Sequence, residues 1–198
     1  MGGVIVIQTN RKYEPLNILA RRSMKGAEYL VDVVQFGDYE CKECVLAAEL
    51  LQAFRHRNDG VVSFNYRHFP VVASHRQALQ AAEAAESART QGKFWQMHNR
   101  LIANSDRLRL DDLYGYADSI SLDMARFTSD MDDEVHVPTI RSHIYGGTLA
   151  GVQRTPTYFV DGKLVDSAGG VRSVLEAASI ALERRRGAGR RAGPLASR

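Results

Sequence analysis

Residues 34–44 read Val34-Gln35-Phe36-Gly37-Asp38-Tyr39-Glu40-Cys41-Lys42-Glu43-Cys44, and the reading of this stretch decides the fold. Its first part closes a run from Leu30 to Phe36 that is broken only by Asp32 and Gln35. That run is rich in β-branched residues, the composition of a buried strand. Gly37-Asp38 ends it. From Cys41 to about Arg57 the apolar period lengthens to that of a helix. Cys44, Ala47, Ala48, Leu51 and Phe54 share one stripe, while Glu43, Arg55 and Arg57 fall off it. Asp38 is the expected cap. The chain's two cysteines thus straddle a strand-to-helix junction.

Working outward, Asp59-Gly60 is a turn and Val61–Tyr66 a second strand. Strand, helix, strand over this length is a βαβ unit, which implies parallel pairing. From His75 to about Gly151 the pattern is helical. Ala78, Ala81, Ala82 and Ala85 form a narrow stripe, and Leu101–Ile102, Leu113–Tyr116, Leu122–Phe127 and Ile144–Leu149 mark further short helices. Thr157–Val160, the turn Asp161-Gly162 and Leu164–Val165 form a hairpin. Val171–Leu182 is a last amphipathic helix. The expected layout is an arm or edge strand over 1–27, a βαβ half over 28–74, an all-helical insertion over 75–151, a ββα half over 152–183 and a disordered arginine-rich tail over 184–198. The fold class is α/β.

Composition narrows the function. At 198 residues, 44% apolar and 25% charged, the chain has the profile of one globular domain. Its formal charge of +3 is local: residues 184–198 hold six arginines and no acid, which leaves the remainder at −3. The basic balance therefore describes a tail and not a nucleic-acid face. No apolar run approaches the roughly 18–20 residues of a membrane span. Val4–Ile7 precedes Arg11 and Lys12, the reverse of a secretory leader. A cytoplasmic location is the expectation, and two cysteines without a disulfide framework agree with a reducing compartment.

Cys41 and Cys44 carry the chemistry. A helix N-terminus presents unpaired N–H groups and partial positive charge, which favour thiolate over thiol. Cys44 lies on the apolar stripe and Cys41 off it, so Cys41 is the expected nucleophile and Cys44 the resolving thiol. Lys42 favours the thiolate while Glu40 and Glu43 oppose it, which points to a disulfide of moderate oxidising power. Half of a zinc site is the competing reading. Structural zinc takes four ligands, no second cysteine pair exists, and neither His56 nor His68 has metal-ligand spacing. Trp95 and Met97 beside Phe94 read as helix core and rim, His68 as a structural residue at a strand end, and His136 and His143 as a pair that is not a metal site. There is no phosphate-binding glycine loop and no Ser/His/Asp motif.

The 34–44 segment resembles the active-site segment of DsbA-like thioredoxin-fold thiol–disulfide oxidoreductases. The resemblance continues through Arg67-His68-Phe69-Pro70, Ala81–Ala85, Gly92-Lys93-Phe94-Trp95-Gln96-Met97-His98 and Gly151-Val152-Gln153-Arg154-Thr155-Pro156-Thr157-Tyr158-Phe159-Val160, covering about residues 28–182 in order. It implies a thioredoxin fold with a helical insertion, and a cis Pro156 facing the cysteines. The backbone at Thr155-Pro156 would pair with an extended substrate peptide. Two positions depart from the family. Six residues before the first cysteine, where the family has a buried acid for proton transfer, stands Gln35, so water, Glu40 or another group must take that role. Arg154 stands where a small residue is common, and either contacts the thiolate or a substrate carboxylate, or faces solvent.

The expected function is thiol–disulfide exchange with protein or peptide substrates through the Cys41/Cys44 redox-active pair, served by an unidentified recycling partner. Thr155, Pro156 and Arg154 would contact substrate. No bound cofactor is expected, because the pair is itself the redox group. The rivals are a non-catalytic redox-sensing or partner-binding module, a glutathione-dependent transferase or isomerase of the same superfold, and a zinc-stabilised interaction protein.

Overall fold

The computed structural model describes residues 30–166 and 169–191. The arm expected over 1–27 and the last residues of the expected tail lie outside them. The first strand, β1 (Val31–Gly37), is buried along its whole length. It can be, because Val31, Val33, Val34 and Phe36 supply apolar side chains to both faces and a strand pairs with it on each side. β2 (Val62–His68) runs parallel to it, with Val31 opposite Val62 and Gly37 opposite His68. The connection is α1 (Lys42–Arg57). β3 (Thr157–Val160) is antiparallel to β1, pairing Gln35 with Tyr158, and β4 (Lys163–Leu164) closes the sheet in the order β2-β1-β3-β4. The β3–β4 turn has positive φ at Asp161 and at Gly162, the geometry of a tight hairpin turn.

One layer packs α1 and α7 (Val171–Arg191) against the sheet. Ala47, Leu51 and Phe54 from α1 meet Val174, Ala178 and Leu182 from α7 over Val31, Val33 and Val160. Each large side chain buried here contributes about 1.5–3 kcal/mol of transfer free energy. α7 continues beyond Leu182 to Arg191, so residues 184–191, expected within a disordered tail, extend the helix. Arginine and alanine are good helix formers, and Arg185 anchors the extension by an ion pair to Asp161 at 2.7 Å.

The insertion is helical as expected: α2 (Ala78–Thr90), α3 (Phe94–Ala103), α4 (Leu110–Ser119), α5 (Met124–Asp132) and α6 (Val137–Leu149). Its core joins Ala81, Ala85, Met97, Leu101, Leu113 and Phe127 to Tyr39 and Tyr66 of the sheet domain. The alanine stripe of α2 is wider than its sequence spacing suggests. Ala84, Ala88 and Ser87 are buried too, because α3, α4, α5 and α6 all pack on this helix. Small side chains permit those close approaches. On the sheet's other face Gly147 of α6 comes so near Phe36 that a Cβ would sit 2.8 Å from its ring. The structure therefore has a thioredoxin-type mixed sheet with an all-helical insertion between its βαβ and ββα portions.

Candidate active site

Cys41 is the N-cap of α1, and its Sγ accepts a hydrogen bond from the Cys44 backbone N–H at 3.4 Å. Asp38, the expected cap, does something else. Its buried carboxylate accepts from the backbone N–H of Glu40 (2.8 Å) and of Val71 (2.7 Å) and contacts His75 Nδ1 at 2.7 Å. It clamps the strand-to-helix loop to the loop after β2 and leaves the helix end to the cysteine. An oxygen-bearing side chain usually fills the N-cap; here a sulfur sits where the helix's free N–H groups and dipole converge.

As a thiol, Cys41 has one proton to donate, with the Thr155 carbonyl at 3.3 Å and Glu43 Oε2 at 3.6 Å as its alternative acceptors. The hydrogen bond from Cys44 lowers its pKa to about 7. Burial opposes the shift, hydrogen bonds from the Thr155 side chain and the Cys44 backbone N–H assist it, and the Glu43 charge opposes it. Lys42 is exposed and is not among the causes. Although it lies off the apolar stripe, Cys41 is only 4% exposed. Cys44 is fully buried. Its thiol is held far above the usual range, by the bond to Cys41 first and by burial second. The two sulfurs thus have opposite tendencies: Cys41 ionises near neutrality and Cys44 stays protonated.

The Thr155–Pro156 bond is cis. It joins the partners expected to be distant in sequence and adjacent in space. Arg154 does not join them. It is exposed, and its carbonyl accepts from the Thr157 hydroxyl at 2.6 Å. Glu40, an alternative proton carrier by sequence, is committed elsewhere, accepting from the Gln77 N–H at 2.7 Å at the start of α2. Gln35 is buried, 3% exposed, on β1.

A cleft of about 290 Å³ opens between α1 and α3, with Cys44 and Gln35 among its walls. Ala48, Gln52 and Arg55 contribute from α1, and Trp95, His98 and Asn99 from α3. Sequence reasoning did not find this cleft. Ala48 belongs to the helical stripe but is only half-buried, and Arg55, off the stripe, lies 4.1 Å over the Trp95 ring. Trp95, read as core and rim, is wall and platform. His98 Nδ1 contacts the Tyr39 hydroxyl at 3.1 Å, and burial drives its pKa down to about 3.

His68, Glu86 and His143 bring ligand-type atoms within 4.8 Å of one another, and neither cysteine belongs to that group. Glu86 is already taken. It bonds His68 Nε2 at 2.7 Å and Arg89 through both oxygens, while Arg67 lies 3.0 Å from His143 Nε2. Two guanidinium groups stand where a cation would have to enter, so the cluster reads as a buried polar tie between β2, α2 and α6. His143 serves it from α6, whereas His136 pairs with Asp130 at 3.2 Å.

Comparison with known proteins agrees with this geometry. Residues 27–177 match the family model described as Thioredoxin, and the chain belongs to that family. The structure is similar to oxidised BdbD from Bacillus subtilis, with a TM-score of 0.69, 20% identity and coverage of 81% of this chain and 90% of that one. It is also similar to a thioredoxin-like oxidoreductase from Silicibacter pomeroyi, with a TM-score of 0.63, 28% identity and coverage of 79% and 86%. DsbA from Xylella fastidiosa gives a TM-score of 0.65 at 18% identity, covering 79% and 87%. The fold is that of DsbA-like thiol–disulfide oxidoreductases, with a Cys-x-x-Cys at the head of α1. Among curated sequences, a Na(+)/H(+) antiporter NhaA 1 of Salinispora arenicola is 40% identical over 137 residues, 67% of this chain and 20% of that protein. The chain spans about a fifth of the length of such relatives. Among the described residues no helix is long and apolar enough to cross a membrane.

Proposed function

We propose that the chain is a thiol–disulfide oxidoreductase acting on protein or peptide substrates. The observation that carries the reading is the unequal pair at the head of α1: a Cys41 thiol with a pKa of about 7, held against Thr155, and a buried Cys44 that remains protonated. The Cys41 thiolate attacks a substrate disulfide, forming a mixed disulfide and releasing one substrate thiolate. Cys44 then loses its proton and attacks Cys41 Sγ, and the second substrate sulfur leaves with its electron pair. The substrate is reduced and the protein oxidised; the reverse sequence oxidises a dithiol. A redox partner resets the pair, and no bound cofactor enters these steps. In this reading Thr155 and Pro156 offer backbone to an extended substrate, and Arg154, which is exposed, would be free to meet a substrate carboxylate. A reducing compartment such as the cytoplasm would keep the pair as the dithiol.

The test is turnover of a disulfide-bonded protein with a chemical reductant. Cys41→Ser abolishes turnover, whereas Cys44→Ala accumulates mixed disulfides visible by mass spectrometry. Full activity of Cys41→Ser would overturn the assignment.

One observation favours a second reading, a redox-sensing partner module: the relatives named as antiporters carry a matching stretch within a much longer protein. In that reading the pair changes state without multiple turnover, and its partner is a membrane transport protein. Stoichiometric oxidation with no catalytic turnover in the same assay selects it.

A further inference from the structure

The walls of the cleft between α1 and α3 include neither Cys41, Thr155 nor Pro156, so it lies apart from the surface that meets a substrate disulfide. Its volume of about 290 Å³ is at the small end of the range for ligand sites, about 300–1,000 Å³. The exchange reaction proposed above uses none of the polar side chains that α1 and α3 place here.

One of those side chains is a cation in unusual surroundings. Arg55 is half-buried, with its guanidinium carbon 4.1 Å over the Trp95 ring. Burial lowers its pKa while the charge of Asp59 opposes the change. Among the described residues no carboxylate forms an ion pair with it, and Glu49, the acid of the cleft wall, is exposed. A guanidinium partly withdrawn from water gains from a matching anion, and its planar fork fits a carboxylate.

His98 supplies a second donor. Tyr39 is fully buried, and burial holds its hydroxyl protonated. Among the described residues that hydroxyl has one hydrogen-bond partner, His98 Nδ1 at 3.1 Å. The phenol therefore donates and Nδ1 accepts. Burial keeps the imidazole neutral, with a pKa of about 3, so its single proton sits on Nε2. Nε2 has no partner among the described residues and is not sealed from solvent. With His98 in the cleft wall, this N–H is the donor that the ring offers there.

Asn99, half-buried on α3, and Gln52, exposed on α1, add carboxamides that make no hydrogen bond to the described protein. Apolar walls complete the cleft, with Phe64 and Trp95 at 6.0 Å between ring centroids. One positive charge, neutral donors and aromatic walls together are the complement of a flat molecule with a single negative charge.

We propose that the α1–α3 cleft is a binding site for a small planar carboxylate. Arg55 takes the carboxylate, His98 Nε2 and Asn99 donate further hydrogen bonds, and Trp95 and Phe64 flank the flat body. The site does not depend on the exchange activity proposed above, and its test needs no turnover.

Trp95 is the chain's single tryptophan, so its emission reports on the cleft. The full chain, kept reduced, is titrated with benzoate and separately with benzamide, which has the same ring and size without the charge. The expected result is a saturable emission change with benzoate, and binding of benzamide at least about tenfold weaker, the worth of a charge-assisted hydrogen bond. Arg55→Gln brings benzoate down to the level of benzamide. Ala48→Leu fills the cleft from α1 while leaving the donors in place; it abolishes both responses and stands in if Arg55→Gln fails to fold. No saturable response to benzoate, equal affinity for the two probes, or undiminished benzoate binding in either folded variant would overturn the site.

Discussion

The sulfur of Cys41 lies 3.3 Å from the carbonyl oxygen of Thr155, a residue 114 positions further along the chain. The contact joins the βαβ portion to the ββα portion at the reacting atom. Cys41 has a pKa of about 7, lowered first by the hydrogen bond from the Cys44 side chain and further by one from the Thr155 side chain, with burial opposing. Thiolate absorbance near 240 nm should therefore rise through a midpoint near pH 7, with alkylation rate following it. In Cys44→Ala the principal donor is gone, and the midpoint moves upward toward that of a free cysteine, about 8.5.

Glu43 acts in the opposite sense. Its carboxylate lies 3.6 Å from Cys41 Sγ and raises the thiol's pKa. Glu43→Gln removes the negative charge and should shift the alkylation profile to lower pH. The change also makes the disulfide more oxidising, since it stabilises the reduced form. An unchanged profile would mean that the carboxylate is screened by solvent.

What was legible in the sequence was local. Val31 to Cys44 announced a strand, a break and a helix, because β-branched alternation and the 3.6-residue stripe are properties of neighbours in the chain. Asp161-Gly162 announced the hairpin for the same reason. Asp38 was misread, since its partners at Val71 and His75 come from another loop that sequence distance hides. The cleft was invisible because its two walls, α1 and α3, are separated by a strand and a helix, and only packing sets their spacing. The helical run to Arg191 was obscured by charge density: arginines read as tail, while one of them answers Asp161 across 24 positions.

Two glycines should be intolerant of a side chain. A Cβ at Gly37 would lie 2.6 Å from the Tyr66 hydroxyl oxygen, and one at Gly147 2.8 Å from the Phe36 ring. Both neighbouring rings are held within cores and cannot retreat freely. Gly37→Ala and Gly147→Ala should each destabilise the fold by about 1–3 kcal/mol, read as a lower midpoint in urea. Gly115, with open space around it, is the control that should accept alanine.

Glu83 makes stability depend on pH. It is buried on α2, and burial, followed by the Glu134 charge, pushes its carboxyl up to about 7. Its folded pKa thus exceeds the unfolded value of about 4.3, so the folded state holds more protons between these limits. Stability then falls as pH rises from about 4.3 through 7, and the deficit persists above. Glu83→Gln should flatten this dependence and raise stability at pH 8 by about 1–3 kcal/mol. Chemical denaturation at pH 5 and pH 8 measures both effects.

The reduction potential of the Cys41–Cys44 pair follows from how strongly the reduced form is held. A strong oxidant has a nucleophile whose thiolate is stabilised by many hydrogen bonds and little opposing charge, with a pKa near about 3.5. Cys41 gains bonds from Cys44 and Thr155 but loses part of that benefit to burial and to Glu43, ending near 7. Equilibration against a glutathione or dithiothreitol couple should therefore give a potential between about −180 and −270 mV. A value at the lower end makes the chain a reductase under cytosolic conditions, and one at the upper end an isomerase-like catalyst. A potential near about −120 mV would contradict the modest thiolate stabilisation at the head of α1, and with it the attribution of the redox bias to Cys44, Thr155 and Glu43.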